Sequence, residues 1–231
     1  MVDPLVPSTG QGVLHLFWRV PTAGQPPVDA AAVAAAVKAA EADDLQVVPV
    51  ALLGHKADLC TMALGTDLWR LRALQTALAR AGLVLVDSYL SLTELSEYAK
   101  GLPEEMAQAR LWPQLPPEGK TAWCFYPMSK RRWEDNNWFT LPYDERKELM
   151  YEHGASGRKF AGRLVQLITG STGVDDHEWG VTLFAVHPDD LKEVVYTMRY
   201  DTASALYGEF GTFYTGMVGE LDEVLDRVGI A

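Results

Sequence analysis

The amino-acid sequence predicts an α+β fold made of two ferredoxin-like (βαββαβ) units, packed as a dimeric α/β-barrel-like chain. The order β-α-β-β-α-β can be read twice along the 231 residues, from apolar strands and amphipathic helices. A proline-rich segment separates the two repeats. Helices on one face of an antiparallel sheet leave the other face uncovered, so two such sheets are expected to pack against each other.

The first repeat begins with the apolar segment GVLHLFWRV, which is typical of a buried strand. Asp29 stands near the start of the first helix, and Gly82 ends the second. The predicted elements are a strand at 12–20, a helix at 28–42, strands at 45–53 and 58–64, a helix at 67–81 and a strand at 83–92. Residues 1–105 are therefore assigned to an N-terminal unit that serves as scaffold and interface.

The second repeat follows the proline-rich linker, assigned to residues 106–120. Pro142 at the start of a helix and Gly154 just past its end delimit the first helix of this repeat. The predicted elements are a strand at 121–128, a helix at 142–153, strands at 163–170 and 178–186, a helix at 188–199 or extended to 204, a strand at 210–217 and a helix at 220–228. Residues 121–231 form the C-terminal unit.

The composition is that of a soluble globular protein, with 48% apolar residues, 22% charged residues and a net charge of −11. An isoelectric point near 4.9 argues against nucleic-acid binding. Cys60 and Cys124 stand outside any CxxC pattern, so no disulfide framework or zinc site is expected, and a cytoplasmic location is predicted. We expect neither a signal peptide nor a membrane span, because no apolar run approaches about 18 residues.

Positive charge is concentrated in one part of the chain. Residues 110–163 contain ten of the twenty cations and seven of the 31 acidic residues. A cationic region in an acidic chain suits a small polyanionic ligand better than a nucleic acid. On charge alone, a solvated surface explains the pattern equally well.

The strand that starts this repeat continues into a polar segment, YPMSK. Because strand side chains alternate between faces, four of them share one face: Cys124, Tyr126, Met128 and Lys130. The opposite face carries core residues: Trp123, Phe125 and Pro127. A phenol, a thioether and an ammonium in a row are typical of an apolar pocket with a few polar groups. Core packing with a lysine at the strand end is the alternative interpretation.

His153 shares the apolar face of its predicted helix with Leu149 and Met150. A lone histidine there is more often a core or capping residue than a ligand. The functional alternative is an imidazole that binds a metal while an acceptor holds its other nitrogen. No other histidine forms HxH or HExxH with it, so protein ligands alone are not expected to hold a metal. A porphyrin would need only this imidazole.

A set of motifs in the second half belongs together: Tyr126-Pro-Met-Ser-Lys130, Glu152-His153-Gly154 with Gly157-Arg158-Lys159, Gln166, DHEWGVTLF at 176–184 and TMRYDTASALYGEFG at 197–211. This combination resembles the coproheme decarboxylases, a branch of the chlorite dismutase family. The similarity is dense over residues 120–217. It is thinner in the first half, where it rests on GHKADL at 54–59 and on Ser88-Tyr89.

The resemblance implies that the C-terminal unit binds iron coproporphyrin III and, with hydrogen peroxide, oxidatively decarboxylates two of its four propionates to give haem b in haem biosynthesis. His153 would be the axial iron ligand and Tyr126 the radical-forming catalytic residue. Lys130 would bind a propionate and assist proton transfer. The resemblance also assigns the distal arginine to Arg110. It assigns further substrate contacts to Pro127, Met128, Ser129, Gln166, Arg199 and Ser204.

This sequence departs from the family pattern in two places that affect the assignment of these residue roles. The segment 111–125 is about two residues longer than in the family, which concerns the position of Arg110. His177 stands where relatives carry an aromatic residue, and its turn position predicts a solvated side chain.

The resemblance also implies a homopentamer, with an upstream ferrochelatase as a candidate transient partner. Three alternatives stay open. The first is a chlorite-decomposing haem enzyme on the same fold, for which Tyr126 and Lys130 would be superfluous. The second is a haem-binding or haem-transfer protein without catalysis, and the third is an oligomeric scaffold without a tetrapyrrole.

Overall fold

A computed structural model of the chain describes residues 3–22, 24–99 and 101–230. The first half contains β1 (Gly12–Arg19), α1 (Ala30–Ala42), β2 (Gln46–Leu52), β3 (Leu59–Gly65), α2 (Leu68–Arg80) and β4 (Val84–Thr93). Both helices begin at an aspartate whose carboxylate accepts a backbone N–H, Asp29 from Ala32 at 2.9 Å and Asp67 from Trp69 at 3.0 Å. All six elements predicted for this half are present within two residues of their expected bounds.

The second half is less regular than the first. It contains α3 (Glu104–Leu111), β5 (Ala122–Lys130), a 3₁₀ turn (Trp138–Thr140), α4 (Tyr143–Arg158), β6 (Leu164–Gly170), β7 (Trp179–Ala185), α5 (Pro188–Met198), α6 (Thr202–Ala205), β8 (Gly208–Phe210), β9 (Tyr214–Val218) and α7 (Leu221–Arg227). A mixed α+β fold with an antiparallel sheet is therefore confirmed.

The predicted linker contains a helix that the sequence analysis missed. Helix α3 starts directly after Pro103. Its first turn contains Glu104 and Glu105, where carboxylates interact favourably with the helix dipole. The prolines further along hid this signal, because they lie beyond the end of the helix.

Three further bounds were wrong in the second half. Gly154 does not end α4, which continues to Arg158, although glycine inside a helix costs about 1 kcal/mol relative to alanine. The helix predicted at 188–199, with an extension to 204, is broken into α5 and α6. The strand predicted at 210–217 is two strands, because β8 pairs with the end of β5 and β9 with its beginning.

The strands form one antiparallel sheet that closes on itself. Its order is β7-β6-β4-β1-β3-β2-β9-β5-β8, and β5 pairs again with β7 over residues 122–128. Closure is weakest between β4 and β6, which pair only at Leu92↔Gly170 and Thr93↔Thr169. The sheet therefore has an inner and an outer face.

The alternation predicted for β5 is confirmed by the two cores on either side of it. Trp123 and Phe125 belong to the inner core, together with Phe17 and Phe184. The side chains of the other face pack against helix α5 through Leu191 and Val194. A third core lies between α1, α2, α7 and the first-half strands. No helix in the described ranges combines the length and apolarity needed to cross a membrane.

Candidate functional site

A pocket lies between the outer face of β5, β6 and β7 and the helices α4 and α5. Its walls are Tyr126, Met128, His153, Gln166, Ile168, Val181, Val194, Val195, Met198, Arg199, Ser204 and Phe210. The space between them is about 470 Å³, which includes open solvent, and the centres of water molecules can occupy about 50 Å³ of it. The unfilled space therefore has room for only a few water molecules. A larger ligand must therefore occupy the open side and displace side chains at the mouth, where Phe210 and Ile168 are exposed.

Tyr126 projects from β5 into this pocket and is largely buried. Its ring stacks on Phe213 with a centroid distance of 4.4 Å and meets the edge of Phe210 at 5.7 Å. Burial, followed by the neighbouring thiol of Cys124, raises the pKa of the Tyr126 phenol above its ordinary value. The phenol is therefore protonated and held in one orientation by its aromatic neighbours.

His153 faces the same pocket from α4. Its Nδ1 donates to Asp201 Oδ2 at 3.1 Å, and Ser204 Oγ lies 3.5 Å from the same nitrogen. Ser156 Oγ donates to the other oxygen of Asp201 at 2.7 Å. Within the described ranges Nε2 makes no hydrogen bond. An imidazole whose Nδ1 is held by a carboxylate presents Nε2 as a metal ligand.

Burial lowers the pKa of His153, and nearby Lys130 lowers it further, while Asp201 acts in the opposite direction. The imidazole is therefore mostly neutral at neutral pH, which is the form that binds a metal. The acceptor of the His153 Nδ1–H is Asp201, which lies just before α6, and not one of the neighbouring acids of α4, Glu148 and Glu152.

Lys130 ends β5 with only 6% of its surface exposed, and its side chain turns away from the pocket wall. Its Nζ donates to the carbonyl of Ala203 at 2.5 Å and lies 4.5 Å from the ring centre of Trp138. Burial lowers the pKa of Lys130 to about 8, against the opposing effect of Glu178. The alternation along β5 does not carry Lys130 into the pocket beside Tyr126 and Met128.

Lys130 and Ser129 instead line a second, more open groove, which measures about 860 Å³ when open solvent is included in the same way. Its other walls are Arg132, Trp133, Thr172, Gly173, Asp175, Asp176, His177, Glu178 and Glu209. Pro127 is buried between the two, and its carbonyl accepts from the N–H of Gly211 at 2.8 Å. His177 is partly exposed in its turn.

The remaining candidate residues separate into two groups. Gln166, Arg199 and Ser204 line the pocket, with Arg199 exposed at its mouth above the ring of Tyr196 at 4.0 Å. Arg110 does not line it. Arg110 is exposed on α3, and this helix is anchored at the end of β4 by a 2.9 Å hydrogen bond from Thr93 Oγ1 to the carbonyl of Leu111. The structure therefore does not support Arg110 as a distal residue within this chain.

Sequence reasoning missed three residues of this region. Asp201 and Ser156 hold His153, and Glu178 holds the end of β5. All three lie inside or beside motifs that were recognised, but pairing across 45 to 48 residues leaves no periodic signal in the sequence.

A closed antiparallel sheet with outer helices defines an α+β protein, and its pocket, which presents one imidazole and one phenol, is a candidate ligand site. The sequence profile of the chlorite dismutase family matches residues 29–219. The chain therefore belongs to the chlorite dismutase family.

Two curated relatives are similar over most of the chain. The coproheme decarboxylase of Staphylococcus carnosus is 45% identical over 177 residues, which are 72% of this chain and 70% of that relative. The coproheme decarboxylase of Staphylococcus saprophyticus is 43% identical over 185 residues, 76% of this chain and 74% of that relative.

Solved structures show the same fold. A haem-binding protein from Thermus thermophilus superposes with a TM-score of 0.84 at 35% identity, covering 99% of both chains. A chlorite dismutase from Candidatus Nitrospira defluvii has a TM-score of 0.77 at 19% identity, covering 96% of both chains, and shows the fold alone.

Proposed function

We propose that this protein is a hydrogen-peroxide-dependent coproheme decarboxylase, which converts two propionates of iron coproporphyrin III to vinyl groups and gives haem b. The observation that carries this proposal is that Tyr126 and His153 line one pocket. The 45% identity to a coproheme decarboxylase supports the same reaction.

The donor set of the pocket suits an iron porphyrin. Its walls are mainly apolar, and His153 offers Nε2 while Asp201 holds Nδ1. The guanidinium of Arg199 and the hydroxyl of Ser204 are available for propionates, with charge-assisted hydrogen bonds from Arg199. Met128 and Gln166 complete the contacts to the macrocycle. Because the centres of water molecules can occupy only about 50 Å³ of the pocket, a bound porphyrin would have to displace side chains at its mouth.

The bound iron porphyrin and peroxide supply the oxidising capacity. For each propionate, one carbon dioxide, one proton and two electrons leave to form the vinyl group, and peroxide takes up the electrons and two protons to become two waters. The net reaction therefore consumes one proton for each propionate.

The Tyr126 phenol would give one hydrogen atom, an electron with its proton, from Oη to the oxidised porphyrin, and its stacking on Phe213 keeps the ring in place for this step. The phenoxyl would then take a hydrogen atom from the propionate chain, which regenerates the phenol. The second electron of each oxidation would pass from the propionate to the porphyrin as carbon dioxide leaves. Lys130 Nζ is the proposed proton source and the positive charge near the reacting carboxylate. For direct contact with a propionate, its side chain must leave Ala203.

We also propose that the two halves are ferredoxin-like units, since the strand orders β4-β1-β3-β2 and β6-β7-β5-β9 each correspond to one repeat. Residues 1–105 would then be scaffold and interface, and residues 121–231 would carry the chemistry. A homopentamer and a transient ferrochelatase contact remain predictions from the family.

The decisive experiment mixes the purified protein with iron coproporphyrin III and titrates hydrogen peroxide. Mass spectrometry should show the successive loss of two carboxyl groups and end at haem b. An intact porphyrin, together with rapid oxygen release from chlorite, would establish the chlorite-decomposing alternative. An intact porphyrin with neither activity would indicate a binding protein.

A further inference from the structure

Glu178 is a buried carboxylate whose two oxygens hold two neighbouring parts of the chain. Its Oε2 accepts the backbone N–H of Lys130 at 2.8 Å, and its Oε1 accepts from Arg132 Nη2 at 2.6 Å. Its own backbone N–H lies 3.1 Å from the carbonyl of Met128 and 3.2 Å from Ser129 Oγ. Through these hydrogen bonds, the turn before β7 holds the last residues of β5 in place.

Burying an acid to this extent is costly unless it is paired, and Glu178 is only 7% exposed. Arg132 alone does not account for its position, because that side chain is largely exposed and an exposed cation contributes little. The second cationic group that interacts electrostatically with Glu178 is Lys130, which is buried as well. The negative charge of Glu178 favours the ammonium form of Lys130, and it therefore opposes the lowering of the Lys130 pKa by burial.

We propose that Glu178 is a positioning residue that fixes the end of β5 and maintains the charge of the Lys130 ammonium. The catalytic consequence of this inference rests on the proposed function, whereas the electrostatic coupling does not. The other ionisable groups on elements packed around Lys130 are His153 on α4, Asp201 before α6, Glu209 on β8, and Arg131 and Arg132 after β5. Of these, His153 interacts electrostatically with Lys130.

The coupling can be measured in the porphyrin-free protein by a carbon NMR titration of labelled lysines. The chain has eight lysines, and the Lys130→Arg variant identifies the Lys130 signal by its loss. Glu178→Gln keeps an oxygen for the N–H of Lys130 but removes the negative charge. Its expected effect is a fall of the Lys130 pKa by roughly half to one unit.

Two matched variants serve as comparisons. One is expected to shift the Lys130 pKa in the opposite direction, and the other is expected to leave it unchanged. Arg132→Gln leaves the charge of Glu178 uncompensated, so the Lys130 pKa should rise. Glu209→Gln changes an exposed acid in the same groove, and we expect no change. An unchanged Lys130 titration in both Glu178→Gln and Arg132→Gln would overturn the inference. If Glu178→Gln does not fold, the direction of the shift in Arg132→Gln decides alone.

Turnover provides a separate measurement. With iron coproporphyrin III and peroxide, Glu178→Gln should lower kcat several-fold, leave KM for the porphyrin nearly unchanged, and move the alkaline decline of activity to lower pH. A shift in the lysine titration without any decarboxylation in the wild type would refute the proposed function and leave the coupling intact. Normal kcat with an unshifted pH profile would refute the positioning role.

Discussion

His153 and Asp201 are joined by a 3.1 Å hydrogen bond between Nδ1 and Oδ2, although 48 residues separate them in the chain. Ser156 orients the carboxylate from the other side. A carboxylate in this position makes the imidazole a stronger ligand and fixes its direction.

The variant Asp201→Asn should therefore weaken axial ligation of a ferric porphyrin, because the amide accepts a hydrogen bond but carries no charge. We expect binding to fall by roughly tenfold. An optical titration that follows the Soret band and the spin state measures this. His153→Ala should abolish the ligation, and Ser156→Ala should show a smaller effect than Asp201→Asn. Wild-type spectra for Asp201→Asn would remove Asp201 from the site.

Tyr126→Phe should stop decarboxylation while the porphyrin still binds. The ring keeps its stacking on Phe213, so the fold and pocket wall stay as they are. A loss of turnover by roughly hundredfold or more is expected for removal of a group that transfers hydrogen. Product analysis by mass measures turnover, and the Soret titration measures binding. Tyr151→Phe, on the exposed side of α4, serves as the control and should convert substrate normally.

Lys130 makes stability depend on pH in a definite direction. Its pKa is about 8 in the folded protein against an ordinary 10.5, so between these values the unfolded chain binds more protons. The free energy of unfolding contributed by Lys130 therefore rises with pH across this window, by up to about 1.4 kcal/mol per pH unit.

Urea denaturation of the wild type and Lys130→Met at a series of pH values measures this slope. The stability of the wild type relative to the variant should increase from pH 8 to 10.5, the window between the two pKa values. Lys38→Met removes an exposed lysine from α1 and serves as the control. Parallel curves for the wild type and Lys130→Met would contradict the burial of this ammonium.

Arg199→Met should raise KM for iron coproporphyrin III by roughly tenfold with a smaller change in kcat, because a charge-assisted contact to a propionate is lost at the pocket mouth. Steady-state kinetics at fixed peroxide separates the two constants. Arg227→Met removes an exposed arginine from α7 and should behave like the wild type. An unchanged KM in Arg199→Met would place the propionates elsewhere.

Much of the fold was predictable because it depends on local patterns. The period of two along β5 separated Trp123 from Tyr126 before any contact was known, and both cores agree with it. The predicted bounds were wrong where tertiary packing overrides a local sequence signal. Gly154 is accommodated inside α4, and α3 lies where prolines suggested only a linker.

The candidate site was predictable in part. His153, Tyr126, Met128, Gln166, Arg199 and Ser204 were named from motifs and do line one pocket. Strand β5 continues to Lys130 as predicted, but Lys130 does not line this pocket, because its ammonium donates to the carbonyl of Ala203. Arg110 does not line this pocket, because it lies on α3, which is anchored at the end of β4.

The sequence by itself determined the element order, the two faces of β5 and the residue types available for chemistry, since these follow from side-chain periodicity and composition. Only the tertiary structure decided that the sheet closes through β5 and β7, that Asp201 meets His153, and that Glu178 meets Lys130. Such pairings join residues that are distant in the chain, and they depend on how whole elements pack, which no local pattern encodes.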